Sequence, residues 1–412
     1  MTRRLLTTCI LLLVLAAAVF AWDPPTEIPN DSYFPILEFG DQNGFLLTTG
    51  IKGMGSSVLA TRYGFFGVDL GAGVSAGNDT FGFNNIGRYA TFLDDDLKNE
   101  IIELAGNDGI FVTPMMTAGP KLQIWRLGLS MQAVVNGQGY LTKDLLELIL
   151  KGNDLNRTYN LDPNLRLSAV ADLKAQFAFG VPLLAKVFRF KDVSLGVAYH
   201  IIPVGVYVVA DSNVTLEAIY TEDDAEIDTQ LSGDLYVSQS VRGSALDVGL
   251  MMRPTENLYL GVAIDGLQGK LTWNNFRWID LRDLEDQDLE DIDWAEAGTP
   301  VAGEVTQKLP VTIKLGARYD LRRWLKFYGE ARHITLANDD SYFTVSGGTD
   351  ITLLWLLPLK ASVTYDARYG RVGYNFGAGL KLLSVEANVE TYTKPHQSGD
   401  EIGLKIGARV AF

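Results

Sequence analysis

The chain has 412 residues, enough for two or three soluble domains or for one large barrel. Hydrophobic residues make up 47% and charged residues 21%, which excludes a chain that is disordered throughout. Thirty-five Lys+Arg against 50 Asp+Glu give a net charge of -15, and no basic patch stands out, so nucleic-acid partners are excluded.

At the N-terminus Arg3 and Arg4 precede an almost wholly apolar run from Leu5 to Phe20, and Val19-Phe20-Ala21 offers the small residues that a signal peptidase reads. This predicts a signal peptide over 1–21, cleaved after Ala21. An uncleaved anchor helix is the alternative, because the run approaches the roughly 17 to 25 residues that span a bilayer. Cys9 is the one cysteine of the sequence and lies inside that signal, too early for a lipid-anchor cleavage. An exported remainder without thiols excludes disulfide frameworks, thiolate metal sites and cysteine nucleophiles.

Further along, hydrophobicity runs with period two. Leu165, Leu167, Ala169, Ala171, Leu173, Ala175, Phe177 and Phe179 alternate with Arg166, Ser168, Asp172, Lys174 and Gln176. The same pattern sets Val311, Ile313, Leu315, Ala317 and Tyr319 against Thr312, Lys314, Arg318 and Asp320. It returns from Leu359 to Arg368 and from Leu383 to Glu390, and weaker versions cover much of the remaining chain. A soluble sandwich or propeller would also alternate. Full charges in mid-strand, at Asp172, Lys174, Lys314, Arg318, Glu386 and Glu390, point instead to a polar, wet interior and a lipid-facing exterior. Aromatic residues near strand ends, among them Trp273, Phe276, Trp278, Trp324, Phe327, Tyr328, Tyr342, Phe343 and Tyr392, suit an interfacial girdle.

The final run Ile402, Leu404, Ile406, Ala408, Val410, Phe412 ends on an aromatic residue in phase with the apolar face. It resembles the C-terminal sorting signal of bacterial outer-membrane barrels, with Ile406, Ala408, Val410 and Phe412 as the residues that the barrel-insertion machinery would recognise. The fold expected is an all-β transmembrane antiparallel barrel with short helical inserts, in the bacterial outer membrane and in contact with its lipid bilayer. Strands are expected to begin near Phe45, Phe65, Ile110, Lys121, Leu165, Lys191, Val204, Asp234, Asn257, Pro310, Trp324, Ser341, Pro358, Val372, Leu382 and Glu401. Some of these are plug or merged segments, and about 14 strands in one domain, 22–412, is the expectation.

Two segments break the β pattern. Leu97, Ile101, Ile102 and Leu104 recur at helical spacing after Asp94-Asp95-Asp96, and a second helix opens at Thr142 and closes at Gly152. The stretch 279–296 holds Asp280, Asp283, Glu285, Asp286, Asp288, Glu290, Asp291, Asp293 and Glu296. A solvated extracellular loop is preferred there over a calcium or cationic-substrate site, since EF-hand spacing is missing. The shorter cluster 222–226 reads the same way. His200, His333 and His396 lie far apart in sequence and none has a local serine or acid partner, so neither catalytic residues nor an enzyme is expected. Thr335, on the strand face of His333, is only a weak hint of a phospholipase. Gly71, Gly73 and Gly77 sit in an alternating strand and make no phosphate loop, and no cofactor motif is found.

Gly53-Met54-Gly55-Ser56-Ser57 followed by Ala60-Thr61, the helical inserts 92–105 and 141–151, and the terminal Phe412 together resemble the superfamily of the FadL-like long-chain fatty-acid transporters and the PorV-like secretion-associated barrels. The chain looks closest to a side branch of that group. The transporters carry an Asn-Pro-Ala segment where this chain reads Arg62-Tyr63-Gly64-Phe65-Phe66, so no ligand residue is carried across. The resemblance implies one of two functions. The first is a passage for hydrophobic small molecules, with Trp22 to Gly44 as an N-terminal plug or hatch. The second is a non-catalytic adaptor barrel that docks exported or surface proteins. A general porin is disfavoured by the helical inserts, which imply a partly occluded lumen.

Overall fold

The computed structural model describes residues 66–81, 94–106, 109–124, 126–152, 157–160, 165–210, 215–221, 226–280, 298–336, 340–382, 385–396 and 399–411. The strands in chain order are β1 (Phe66–Asn78), β2 (Ile110–Ile124), β3 (Leu127–Leu141), β4 (Arg157–Asn160), β5 (Arg166–Gly180), β6 (Asp192–Ala210), β7 (Thr215–Thr221), β8 (Glu226–Ser232), β9 (Asp234–Arg253) and β10 (Leu258–Asp280). There follow β11 (Thr299–Val301), β12 (Val305–Lys308), β13 (Val311–Arg322), β14 (Leu325–Thr335), β15 (Ser341–Leu353), β16 (Leu357–Asp366), β17 (Arg371–Leu382), β18 (Val385–His396) and β19 (Gly399–Ala411). The helices are α1 (Asp95–Leu104), α2 (Lys143–Lys151) and α3 (Pro182–Phe188).

Fourteen of the strands close into one antiparallel barrel: β1, β2, β3, β5, β6, β9, β10 and β13 through β19. Closure joins the first strand to the last, with Leu70 opposite Ala408 and Ala72 opposite Ile406. No barrel edge is left to expose unpaired backbone groups, which is the condition for crossing a bilayer with strands. Short β4, β7 and β8 form a separate three-stranded sheet, while β11 and β12 pair along the outer length of β10.

The side chains sort by the pleat as the alternation predicts. On β13 Ile313, Leu315 and Tyr319 are exposed while Lys314 and Arg318 are buried. On β16 Leu359, Val363 and Tyr365 point outward and Lys360, Ser362 and Asp366 inward. On β18 Val385 and Val389 face out, with Glu386, Asn388 and Glu390 inside. An aqueous exterior would make this apolar face costly, whereas a hydrocarbon exterior requires it. A closed antiparallel barrel with an apolar outside and a charged inside is an outer-membrane protein, and the chain lies in the bacterial outer membrane. Among the described residues no helix is long and apolar enough to span a membrane.

The strand beginnings expected near Lys121 and Val204 are corrected. Lys121 continues β2, and the next strand opens at Leu127. Val204 lies inside β6, just past a bulge that sets Ala171 opposite Val204 but Leu173 opposite Ile201. The segment near Phe45, the hatch region 22–44, the signal peptide with Ala21, the 53–61 motif and Phe412 lie outside the described residues.

Both expected helices are present. Asp94 caps α1, its carboxylate accepting from the Leu97 N–H at 2.9 Å, and Ile101 and Ile102 are buried. Thr142 caps α2, and Gly152 ends it at φ +93. Leu146 of α2 joins Ile101, Ile102 and Ala105 in one small core, so the two inserts pack together at the long-loop end. α3 lies where the sequence pattern predicts no helix. Its signal was Pro182, which occupies a first-turn position where the missing N–H costs nothing.

Candidate functional site

The inner wall carries two kinds of surface. The first is a layer of buried charge. Antiparallel register sets Lys174 of β5 opposite His200 of β6, and Ala198 of β6 opposite Asp247 of β9, which brings four ionisable groups together. Lys174 Nζ donates to Asp247 Oδ2 at 2.6 Å. His200 Nε2 is 2.8 Å from the same oxygen, and its Nδ1 is 2.8 Å from Asp172 Oδ2. The other Asp247 oxygen accepts the Gly266 N–H at 3.0 Å. An imidazole can donate to both carboxylates at once only as the imidazolium.

This layer continues around the barrel. Lys314 meets Asp265 at 2.6 Å, Lys360 meets Glu390 at 3.3 Å, and Arg318 clasps Asp320 while lying over the Tyr259 ring at 4.4 Å. Arg332 pairs with Glu330. Buried pairs of this kind roughly break even against apolar side chains of the same size. What they supply is a polar interior ringed by compensated charge.

The second surface is apolar and lies in one sector of the wall. Tyr207 of β6 stacks on Trp273 of β10, ring centroids 5.2 Å apart, and meets Phe276 edge-on at 5.9 Å. Ile202, Tyr236, Val241 and Leu271 pack around them in the same cluster. Each indole N–H has a partner: Trp273 Nε1 donates to Gln307 Oε1 at 3.4 Å, and Trp278 Nε1 donates to Asp234 Oδ1 at 2.6 Å.

Two irregularities of β10 create this patch. Register slips on either side of Leu267, where Gly266 adopts φ +76 and Gln268 φ +53. A Cβ on Gly266 would sit 2.1 Å from the Pro310 carbonyl oxygen, so only glycine fits. Beyond the slip β10 leaves β13 and pairs with β12 and β11. Asn275 at φ +56 then turns the pleat while the register with β9 stays unbroken, and Trp273 and Phe276, three apart in sequence, are both buried against Tyr207.

The girdle expectation is therefore corrected for several residues. Trp273 and Phe276 are buried on the inner wall, as are Tyr328, Tyr342 and Tyr392 on their own strands. Tyr392 lies across Gly403, where a Cβ would come within 2.2 Å of the ring. Trp324, Phe327 and Phe343 do face outward.

The histidines part company as well. His200, expected to have no local acid partner, has two carboxylates from β5 and β9, which local spacing does not show. His333 is exposed on the outer face, and no hydrogen bond or ion pair engages it among the described residues. His396 sits at the long-loop rim, with Nε2 3.2 Å from Thr113 Oγ1. Gly71, Gly73 and Gly77 lie within β1. Of the acidic stretch 279–296, Ile279 and Asp280 end β10, while 281–296 lies outside the described residues, as does 222–225. Ile406 and Ala408 are exposed on the outer face of β19. Among the described residues no group of three or more His, Cys, Asp or Glu is placed to hold a metal ion.

No family model and no curated protein sequence matches the chain. Solved barrels resemble it in structure. A Pseudomonas aeruginosa FadL homologue is 13% identical over 87% of this chain and 92% of its own, with a TM-score of 0.47. The P. putida toluene transporter TodX is 11% identical over 88% and 97%, with a TM-score of 0.49. The KdgM porin is 9% identical over 60% and 96%, with a TM-score of 0.28. At these identities the residues that matter have to be found in this chain's own geometry.

Proposed function

We propose that this outer-membrane barrel is a passage for hydrophobic small molecules. The observation that carries the proposal is the Tyr207–Trp273–Phe276 cluster, an aromatic core built into an inner wall whose other buried side chains are largely charged and polar. An apolar solute leaving water gains free energy against such an apolar lining. The three rings are buried against one another, so a solute would reach them by parting that packing, and the indole N–H already has a partner that keeps its polarity away from the solute. The hatch read over 22–44 belongs to the same proposal, and so does recognition of Ile406, Ala408, Val410 and Phe412 by the insertion machinery.

Uptake of a radiolabelled long-chain fatty acid and of a monoaromatic hydrocarbon, measured in cells lacking the gene and re-supplied with the wild type or with Trp273→Ala, tests the proposal. Re-supply of the wild type should raise uptake of at least one solute, and Trp273→Ala should lose most of that gain at equal folded barrel in the membrane. Equal uptake with and without the gene contradicts it. Deletion of 22–44 should change the rate, and removal of Phe412 should lower the amount of assembled barrel.

A further inference from the structure

We infer that α3 is a membrane-surface anchor that binds anionic phospholipid headgroups in the leaflet next to the short turns. The helix joins β5 to β6 at the end of the barrel where connections are short, as at Leu127, at 254–257 and at 323–324. Such turns lie on the periplasmic side of outer-membrane barrels. Leu183 is 71% exposed, Val187 65% and Phe188 60%, and Ala185 is the one buried residue of the helix. Spacings of four and five residues put Leu183, Leu184, Val187 and Phe188 on one face. Phe188 stacks on Phe190 at 5.7 Å, which extends that face past the helix end.

The apolar face continues a surface already assigned to lipid. Phe177 and Phe179 on β5, stacked at 6.0 Å, lead into the helix on the outer face, opposite Val197 and Leu195 of β6. Hydrocarbon therefore reaches the base of α3, and the helix takes up the boundary where acyl chains give way to headgroups.

Charge identifies the headgroup. Lys186, within α3, and Arg189, which closes it in the left-handed conformation at φ +57, make no hydrogen bond or ion pair through their side chains among the described residues. Beside them Lys191 and Arg253 share the single carboxylate of Glu256, at 2.9 and 2.8 Å. On a chain of net charge -15 this is a local excess of cations, next to exposed Leu183, Val187 and Phe188. Phosphate-bearing headgroups of an anionic lipid complement it, and each basic residue held at such a surface strengthens binding about fivefold.

The test uses the full chain with Cys9→Ser and Phe188→Cys, labelled with an environment-sensitive fluorophore and folded into vesicles of phosphatidylcholine alone or with phosphatidylglycerol. In the phosphatidylglycerol vesicles the label should be shielded from aqueous iodide and quenched by lipids brominated high on the acyl chain. Lys186→Gln with Arg189→Gln should weaken the shielding more than tenfold in its dependence on phosphatidylglycerol, and salt should do the same. Lys98→Gln on α1, at the other end of the barrel, should change nothing, and unchanged heat-modified gel mobility confirms that each variant is folded. The inference is overturned by equal iodide access in both vesicle types, by shielding that is indifferent to the two charges, or by shielding that rises with protein concentration, which would mark a second copy as the occupant.

Discussion

The barrel has an even half and a tall half. From β13 to β19 strands run 10 to 13 residues, close to the roughly 9 to 11 that a crossing needs, and their outward and inward faces alternate without a slip until the turn. On the opposite side β6, β9 and β10 run 19, 20 and 23 residues, with bulges in β6 and β10. At about 3.3 Å per residue β10 is more than twice as long as a crossing requires. The even half makes a wall. The tall half makes a wall and then uses its surplus length, bent by bulges, to present aromatic side chains inward. Length beyond the bilayer, together with broken register, marks where this barrel departs from a plain one.

The largest effect that would break this contrast is expected from the tall half's charge cluster. Asp247→Ala leaves Lys174 and His200 buried with one partner fewer and should cost about 3 to 5 kcal/mol, read from denaturant unfolding in phospholipid vesicles. Trp273→Ala, which removes a fully buried ring from the aromatic patch, should cost about 3 to 5 kcal/mol by the same measurement. In the even half Leu404→Arg places a cation on the lipid face of β19 and should cost about 2 to 4 kcal/mol. Equal tolerance of arginine at Leu404 and in a long loop would mean that no hydrocarbon faces the strand. Gly266→Ala, at φ +76 against the Pro310 carbonyl, should cost about 1 to 3 kcal/mol and disturb the pairing of β10 with β12.

The smallest effect sharpens the comparison at a turn. The Lys191 ammonium that hydrogen-bonds Glu256, with Arg253 beside it, holds that carboxyl below its usual value of 4.5. A carboxyl so depressed adds stability above 4.5, and the contribution disappears as the pH falls through its folded-state value. The group is exposed, so Glu256→Gln should lower stability slightly at neutral pH and not at all in strong acid.

The same contrast explains what could be read from the sequence. In the even half each strand meets lipid on one side and a polar lumen on the other, so Val311 to Tyr319 or Val385 to Glu390 spells out its faces by period alone. Helix caps at Asp94 and Thr142 were equally legible, because capping is local chemistry. The tall half resists that reading. Gly266, Gln268 and Asn275 turn the pleat, so Trp273 and Phe276 fall out of any single alternation and read as girdle residues. The site around His200 was hidden for another reason. Asp172 and Asp247 reach it only through the pairing of β5, β6 and β9, and register between strands is a tertiary property. Helix α3 left only Pro182 as a trace.

The account stands on the assignment of faces, and one accessibility scan along β18 tests it most directly. Single cysteines from Val385 to Tyr392, introduced into a Cys9→Ser chain folded in vesicles and spin-labelled, would be compared for collision with oxygen, which concentrates in lipid, and with a water-soluble nickel complex. Labels at Val385, Ala387, Val389 and Thr391 should meet oxygen, and labels at Glu386, Asn388, Glu390 and Tyr392 should not, giving a period of two. A uniform profile, or one in which the Glu386 and Glu390 positions face lipid, would contradict the barrel's orientation and with it the inner-wall passage.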